Sequence, residues 1–375
     1  MNDAERRIRA YEEMGDHRTG READNAATDW MIAELAAVGV QAQPQEWTFP
    51  QVDWNDACVR LNGANVPGVP LFDGALESVS GRLAEPGSAG IVVSQITHGD
   101  STQFSTAMYP HLDSLVEQGA NAVVLVMGDP DGNHAIRNAE FPRDPRNLAV
   151  LQVAPNDAGP VLIGAAEAHS ADLVIDGWRE TKTAANVVAS VAGTDPSAEP
   201  VTLMTPKSGW YTCAAERGGG IAIWMEVAGR IAGNPGRRTL NLVASSGHEL
   251  HHLGLDHYIH ELGDAAHDVH AWMHLGASIG SRNGQAAYAG SDDELFNVAT
   301  NALNAQGLER RAFPVGNAGF GEARNIGEIN GRFASFLGGH PYFHSPLDTY
   351  DRCVDSESLA RHTDAAEQIV RYMLR

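Results

Sequence analysis

The segment TLNLVASSGHELHHLGLDHYIH, Thr239 to His260, shows the chain's governing pattern most plainly. It opens with TLNLVAS (239–245), a short apolar run suited to a strand buried on both faces. Gly247 then allows a tight turn, and the apolar spacing beyond it predicts a helix over 248–262. His248 and Glu249 would lie in the first turn of that helix. The same alternation recurs on both sides. NVVASVAG (186–193), PVTLMT (200–205), DVHAWMHLG (268–276) and RFASFLG (332–338) read as strands, and 218–232, 291–306 and 354–374 as helices. Fully apolar strands alternating with helices predict a central sheet covered on both faces. In such sheets reactive groups gather beyond the carboxyl ends of the strands. Here those positions hold the most polar residues of the chain.

Nearer the start, Trp30, Met31, Leu35, Ala36 and Val38 recur at helical spacing, and Gly39 marks the helix end. VQAQPQEWTF (40–49) then alternates like a half-buried strand. From 51 to 182 the runs GIVVSQI (90–96), NAVVLVM (121–127), LAVLQVA (148–154) and ADLVIDGW (171–178) predict a small mixed α/β unit. That stretch contains no metal-ligand spacing and no nucleophile motif. The expected organisation is one domain from 1–50 and 183–375, with 51–182 inserted into it.

Of the 375 residues, 48 are acidic and 26 basic, a formal charge of −22. Nucleic acid and anionic membrane both demand a basic footprint, so neither is an expected partner. Three cysteines are too few and too scattered for a disulfide framework or a thiolate metal site. The opening MNDAERRIRA is charged where a signal peptide would be apolar, and no apolar run approaches 18 residues. A cytoplasmic protein acting on a small molecule or short peptide is expected, with a homodimer as the default assembly.

Eight of the sixteen histidines fall between His248 and His274. Within them, His248-Glu249-Leu250-His251-His252 satisfies H-E-x-x-H. On a helix, residues four apart share a face, so both imidazoles could bind one ion while Glu249 activates water. The placement differs from that of a zinc protease, which carries the motif inside a helix and not at a strand-to-helix junction.

A broader resemblance spans nearly the whole chain. GDHRTGREADNAATDWMIAELAAVGVQAQPQEWTF resembles the opening helix and strand of the co-catalytic di-zinc aminopeptidases, a family that includes glutaminyl cyclases and the silent transferrin-receptor ectodomain. TAANVVASVAGT resembles its first core strand, SSGHELHHLGLDHY stands at its G-E-E-x-x-L-x-G-[SA] motif, and HSPLDTYDR resembles its closing H-[ST]-x-x-D-T motif. GIVVSQI and EQGANAVVLV resemble its protease-associated insert. The resemblance implies a three-layer α/β sandwich with a mixed central sheet, plus a smaller protease-associated-type α/β domain. It also implies a metal-dependent hydrolase of an amide or related C–N bond.

The departures concern the metals. Where the family has H-x-D, this chain reads Thr205-Pro206-Lys207-Ser208-Gly209-Trp210. The bridging aspartate corresponds to Glu216, and the glutamate pair to His248 and Glu249. The aspartate of the N-x-D motif is Gly276, with His274 the nearest polar group, and the terminal histidine is His344. What survives by resemblance is one ligand set, Glu216, Glu249 and His344, for a single divalent ion such as zinc, with His248 as acid–base. A second arrangement stays open, in which His248 and His252 bind the ion, Glu216 or His344 completes the shell, and Glu249 is the base. Lys207 and Arg217 would hold a substrate carboxylate or oxyanion, and Trp210 would line the pocket. Two other functions fit the same scaffold: a non-catalytic binding module, and a lyase or cyclase with His248 as acid–base.

Overall fold

Four parallel strands, Val201–Pro206, Leu240–Ser245, Ala271–Leu275 and Phe333–Leu337, lie side by side at the centre of the larger of two units. The computed structural model describes residues 2–100, 103–104 and 106–375. Met1, in the charged opening, and Ser101, Thr102 and Ser105, in the expected insert, lie outside the described residues. The larger unit comprises Met1–Thr48, Thr183–Phe343 and Leu347–Arg375; the smaller comprises Phe49–Lys182 and His344–Pro346.

Around the parallel centre of the larger unit, residues 187–191 run antiparallel to Leu240–Ser245, and Ala287–Gly290 runs antiparallel to Phe333–Leu337. Alternate side chains leave opposite faces of a strand, and both faces are apolar here. Leu203, Leu242 and Met273 pack toward helices Asp3–Glu13, Glu22–Ala37, Gly219–Gly233, Asp293–Ala305 and Ser356–Met373. Met204, Val243, Trp272 and Phe333 pack on the other side, with Leu255 and Tyr258 of helix Leu253–Leu262 and Ile326 of helix Ala323–Glu328. The result is a three-layer α/β sandwich with a mixed sheet, as expected from the apolar runs.

The smaller unit has its own parallel strands, Val79–Ala84, Gly90–Gln95, Ala120–Val126 and Ala149–Val153. Helices Met108–Glu117 and Gly159–Ala166 accompany them. Separate apolar clusters fill its interior. Among the described residues, no helix is long and apolar enough to cross a membrane.

Three local features differ from expectation. The strands expected at 171–178 and 186–193 are one strand, Ser170–Val191, because the polar residues between them face solvent without breaking the extended backbone. Helix Asp3–Glu13 arises in the charged opening; Ile8 and Tyr11 are its buried stripe, and Asn2 caps it by accepting from the Glu5 amide at 2.8 Å. The helix expected at 248–262 begins only at Leu253. Gly247, His251 and His252 have φ of 84°, 54° and 60°, left-handed values that a right-handed helix cannot contain. The loop closes where the Gly254 amide donates to Ser246 O at 3.1 Å, and a Cβ on Gly254 would lie 2.2 Å from that oxygen.

Candidate active site

The loop 246–252 leaves the carboxyl end of strand Leu240–Ser245 and is fastened at two points. Asn186 accepts from the Ser246 amide at 3.1 Å and donates to Gly254 O at 2.8 Å. Ser208, just past strand Val201–Pro206, accepts from the amides of Gly247 at 2.8 Å and His248 at 3.2 Å. Its hydroxyl donates to Glu249 Oε2 at 2.9 Å, while the Thr19 amide donates to Glu249 Oε1 at 2.5 Å. Glu249 is buried, and burial raises its carboxyl pKa against the pull of Thr19. Expected as ligand or base, Glu249 instead pins the loop to its surroundings. It joins none of the convergent donor groups among the described residues.

Lys207 and Arg217 also have partners inside the protein. The Lys207 ammonium donates to Asp24 Oδ1 at 2.5 Å and to Asp24 O at 3.1 Å, and both residues are 0 % exposed. Asp24 further accepts from Ser246 Oγ at 2.8 Å and from the Gly20 amide at 2.9 Å. Arg217 donates from Nη2 to Glu216 Oε1 at 2.6 Å and from Nε to Ser208 O at 2.9 Å. Both cations were expected to meet substrate; the ion pairs that neutralise them hold them inside the fold instead. Trp210, expected to line a pocket, is buried at 4 % exposure.

A different set converges beside the loop. One donor atom each from His248, His252 and Glu322 lies within 4.8 Å of the other two, and all three residues are buried. Glu322 precedes helix Ala323–Glu328, where no motif or periodic apolar run drew notice to it. Its Oε1 accepts from His248 Nδ1 at 2.7 Å. Asn325 donates from Nδ2 to Asp256 Oδ1 at 2.6 Å, which turns its Oδ1 toward His252 Nδ1 at 2.8 Å. His252 therefore donates through Nδ1 to Asn325, leaving Nε2 as its lone-pair nitrogen, whereas in His248 it is Nδ1 that faces Glu322. Burial lowers the pKa of both histidines, that of His252 to about 3, and Arg217 depresses His248 further. Burial also works to raise the Glu322 carboxyl, but His248 and His252 outweigh it and hold it well below the usual range. Two imidazoles thus converge on a buried carboxylate, donor types that a divalent ion such as zinc accepts.

Of the expected ligands, Glu216 has a carboxylate oxygen within 4.8 Å of a His248 nitrogen, but Arg217 already neutralises it. His344 belongs to the smaller unit, where its Nδ1 donates to Ile136 O at 2.7 Å. Another group, His340, Asp348 and Cys353, also converges. His340 Nε2 lies 3.3 Å from Asp348 Oδ1, and its Nδ1 lies 3.0 Å from Ser278 Oγ. Burial would lower the His340 pKa, but Asp348 outweighs it and the pKa rises to about 10. A protonated imidazole has no lone pair to give a metal, so this group is an ion pair.

His274 explains one departure from the family pattern. Its Nδ1 meets Ser335 Oγ at 2.7 Å on the neighbouring strand, and its Nε2 lies 3.5 Å from Glu322 Oε2. A Cβ on Gly276 would stand 2.7 Å from the His274 Cε1 atom. The imidazole thus takes up the space that a side chain at 276 would need. Gly276→Asp should cost about 1–3 kcal/mol through overpacking, and adding His274→Asn should recover most of it. If urea unfolding finds G276D as stable as the parent, the ring is not confined as described.

With this geometry in hand, the solved structures most informative for comparison are enzymes. The chain superposes on a zinc aminopeptidase, BSAP, from Bacillus subtilis with a TM-score of 0.80 and 14% identity, covering 100% of this chain and 95% of that one. A peptidase M28 precursor from Shewanella amazonensis gives 0.77 and 19%, covering 99% and 93%. Porphyromonas gingivalis glutaminyl cyclase gives 0.53 and 10%, covering 99% and 97%. The fold is that of the zinc aminopeptidases. No protein-family model matches the sequence, and no curated protein does either.

Proposed function

We propose that this chain is a metal-dependent hydrolase that cleaves an amide or related C–N bond in a small molecule or short peptide, using one divalent ion, zinc. The observation that carries the reading is the convergence of His248 and His252, on the loop 246–252, with Glu322, one donor atom from each lying within 4.8 Å of the others in a buried setting. The fold supports it, since a zinc aminopeptidase shares it over the full chain. Glu249, of the set Glu216, Glu249 and His344, is held by Thr19 and Ser208, and Arg217 pairs with Oε1 of Glu216, which favours His248, His252 and Glu322 as the donors. Imidazole and carboxylate donors of the right kind are thus present, and zinc accepts them. A bound zinc ion would lower the pKa of its water and polarise a substrate carbonyl. The smaller unit is read as a protease-associated-type insert on the resemblance of GIVVSQI and EQGANAVVLV.

Gently purified protein should contain about one equivalent of divalent metal. Mass spectrometry of dipeptides, N-acyl amino acids and aromatic amides should show products heavier in total by one water. Chelation should stop the reaction and zinc restore it. Products that instead lose water or ammonia would move the assignment to a cyclase or lyase, in keeping with the glutaminyl cyclase likeness. A zinc-loaded protein inert to the whole panel would leave a binding module.

A further inference from the structure

We infer that the zinc ion is held by His248, His252 and Glu322, and not by the ligand set that the sequence resemblance implies. This inference specifies the metal centre of the function proposed above. Two imidazoles and one carboxylate form a catalytic zinc set that leaves a fourth position for water or substrate. The three donors already lie within 4.8 Å of one another in a buried setting. Glu322 Oε2 is buried without a hydrogen-bond partner among the described residues; His274 Nε2 is 3.5 Å away. An unsatisfied buried carboxylate oxygen is costly, and coordination would relieve that cost.

The neighbouring residues also suit the set. Histidines that bind metal usually donate their other ring N–H to a carbonyl or carboxylate, which fixes tautomer and ring orientation. Asn325 does this for His252 and is itself oriented by Asp256. Among the competing carboxylates, both oxygens of Glu249 accept hydrogen bonds, from Thr19 and Ser208, and Oε1 of Glu216 is held by Arg217. Asn325 is thus a positioning residue, while His248, His252 and Glu322 would touch the ion.

The test uses the full chain, stripped with chelator and titrated with zinc against a chromophoric competitor. The parent should bind one zinc per chain. E322Q and H252A should each weaken binding at least 100-fold, and N325A about 10- to 100-fold. E216Q and E249Q, which keep the length of the side chain, should weaken binding far less than E322Q and H252A do. Circular dichroism checks that each variant folds, and H252Q provides a second variant should H252A fail to. The visible spectrum of cobalt-loaded protein gives a readout independent of activity, and it should change in E322Q and H252A but not in E249Q. Parent-like zinc binding by E322Q and H252A would overturn the ligand set while leaving metal dependence intact. No zinc binding by the parent would overturn it outright. Zinc bound at these residues in a protein that cleaves no amide would instead remove the hydrolase reading and leave the site standing.

Discussion

Replacing Lys207 by Met should cost the protein about 3–5 kcal/mol of stability, because it strands Asp24 as an unpaired charge in a dry interior. Asp24 and Lys207 are both 0 % exposed and meet at 2.5 Å. Ser246 and the Gly20 amide would still donate to Asp24, but neither carries a charge. The double replacement Asp24→Asn with Lys207→Met should recover at least half of the loss. A buried ion pair often contributes little net stability over neutral groups of similar size, yet breaking one half of it is expensive. Urea unfolding of the two singles and the double closes the cycle. If K207M unfolds like the parent but loses turnover, the lysine faces substrate after all and the structural assignment is wrong.

The second large effect depends on pH. His340 titrates near 10 in the folded protein, against about 6.5 for a free histidine. A histidine whose pKa is raised by folding binds its proton more tightly in the native state. Its contribution to stability is therefore complete below about pH 6.5 and disappears as the pH rises through 10. The change is on the order of 3–5 kcal/mol. Unfolding free energy should decline steadily between pH 7 and 10, and His340→Gln should flatten that decline. A parent curve that stays level over this range would mean that Asp348 does not hold the proton on His340.

The sandwich was legible in the sequence because its strands are unbroken apolar runs and its main helices are periodic. Leu240–Ser245 and Ala271–Leu275 lie within the runs that predicted them. The loop between was harder to read. H-E-x-x-H has helical spacing, yet left-handed histidines at 251 and 252 stop any helix before Leu253. Even so, the non-helical turn brings the rings of His248 and His252 to 5.2 Å apart. Lys207 is one of only two lysines in the sequence, but its role depends on Asp24, 183 positions earlier. Glu322 was not visible at all. Its partner His248 lies 74 residues away, and no local pattern around Glu322 betrays a pairing that only the tertiary fold creates.

Arg217 and Lys207 place two basic side chains, each paired with a carboxylate, inside the larger unit. Cations built into the chain are present from the moment of synthesis and cannot be stripped away by scarcity. Interior charge at these two positions is thereby balanced within the polypeptide, cation against carboxylate, with no ion borrowed from outside.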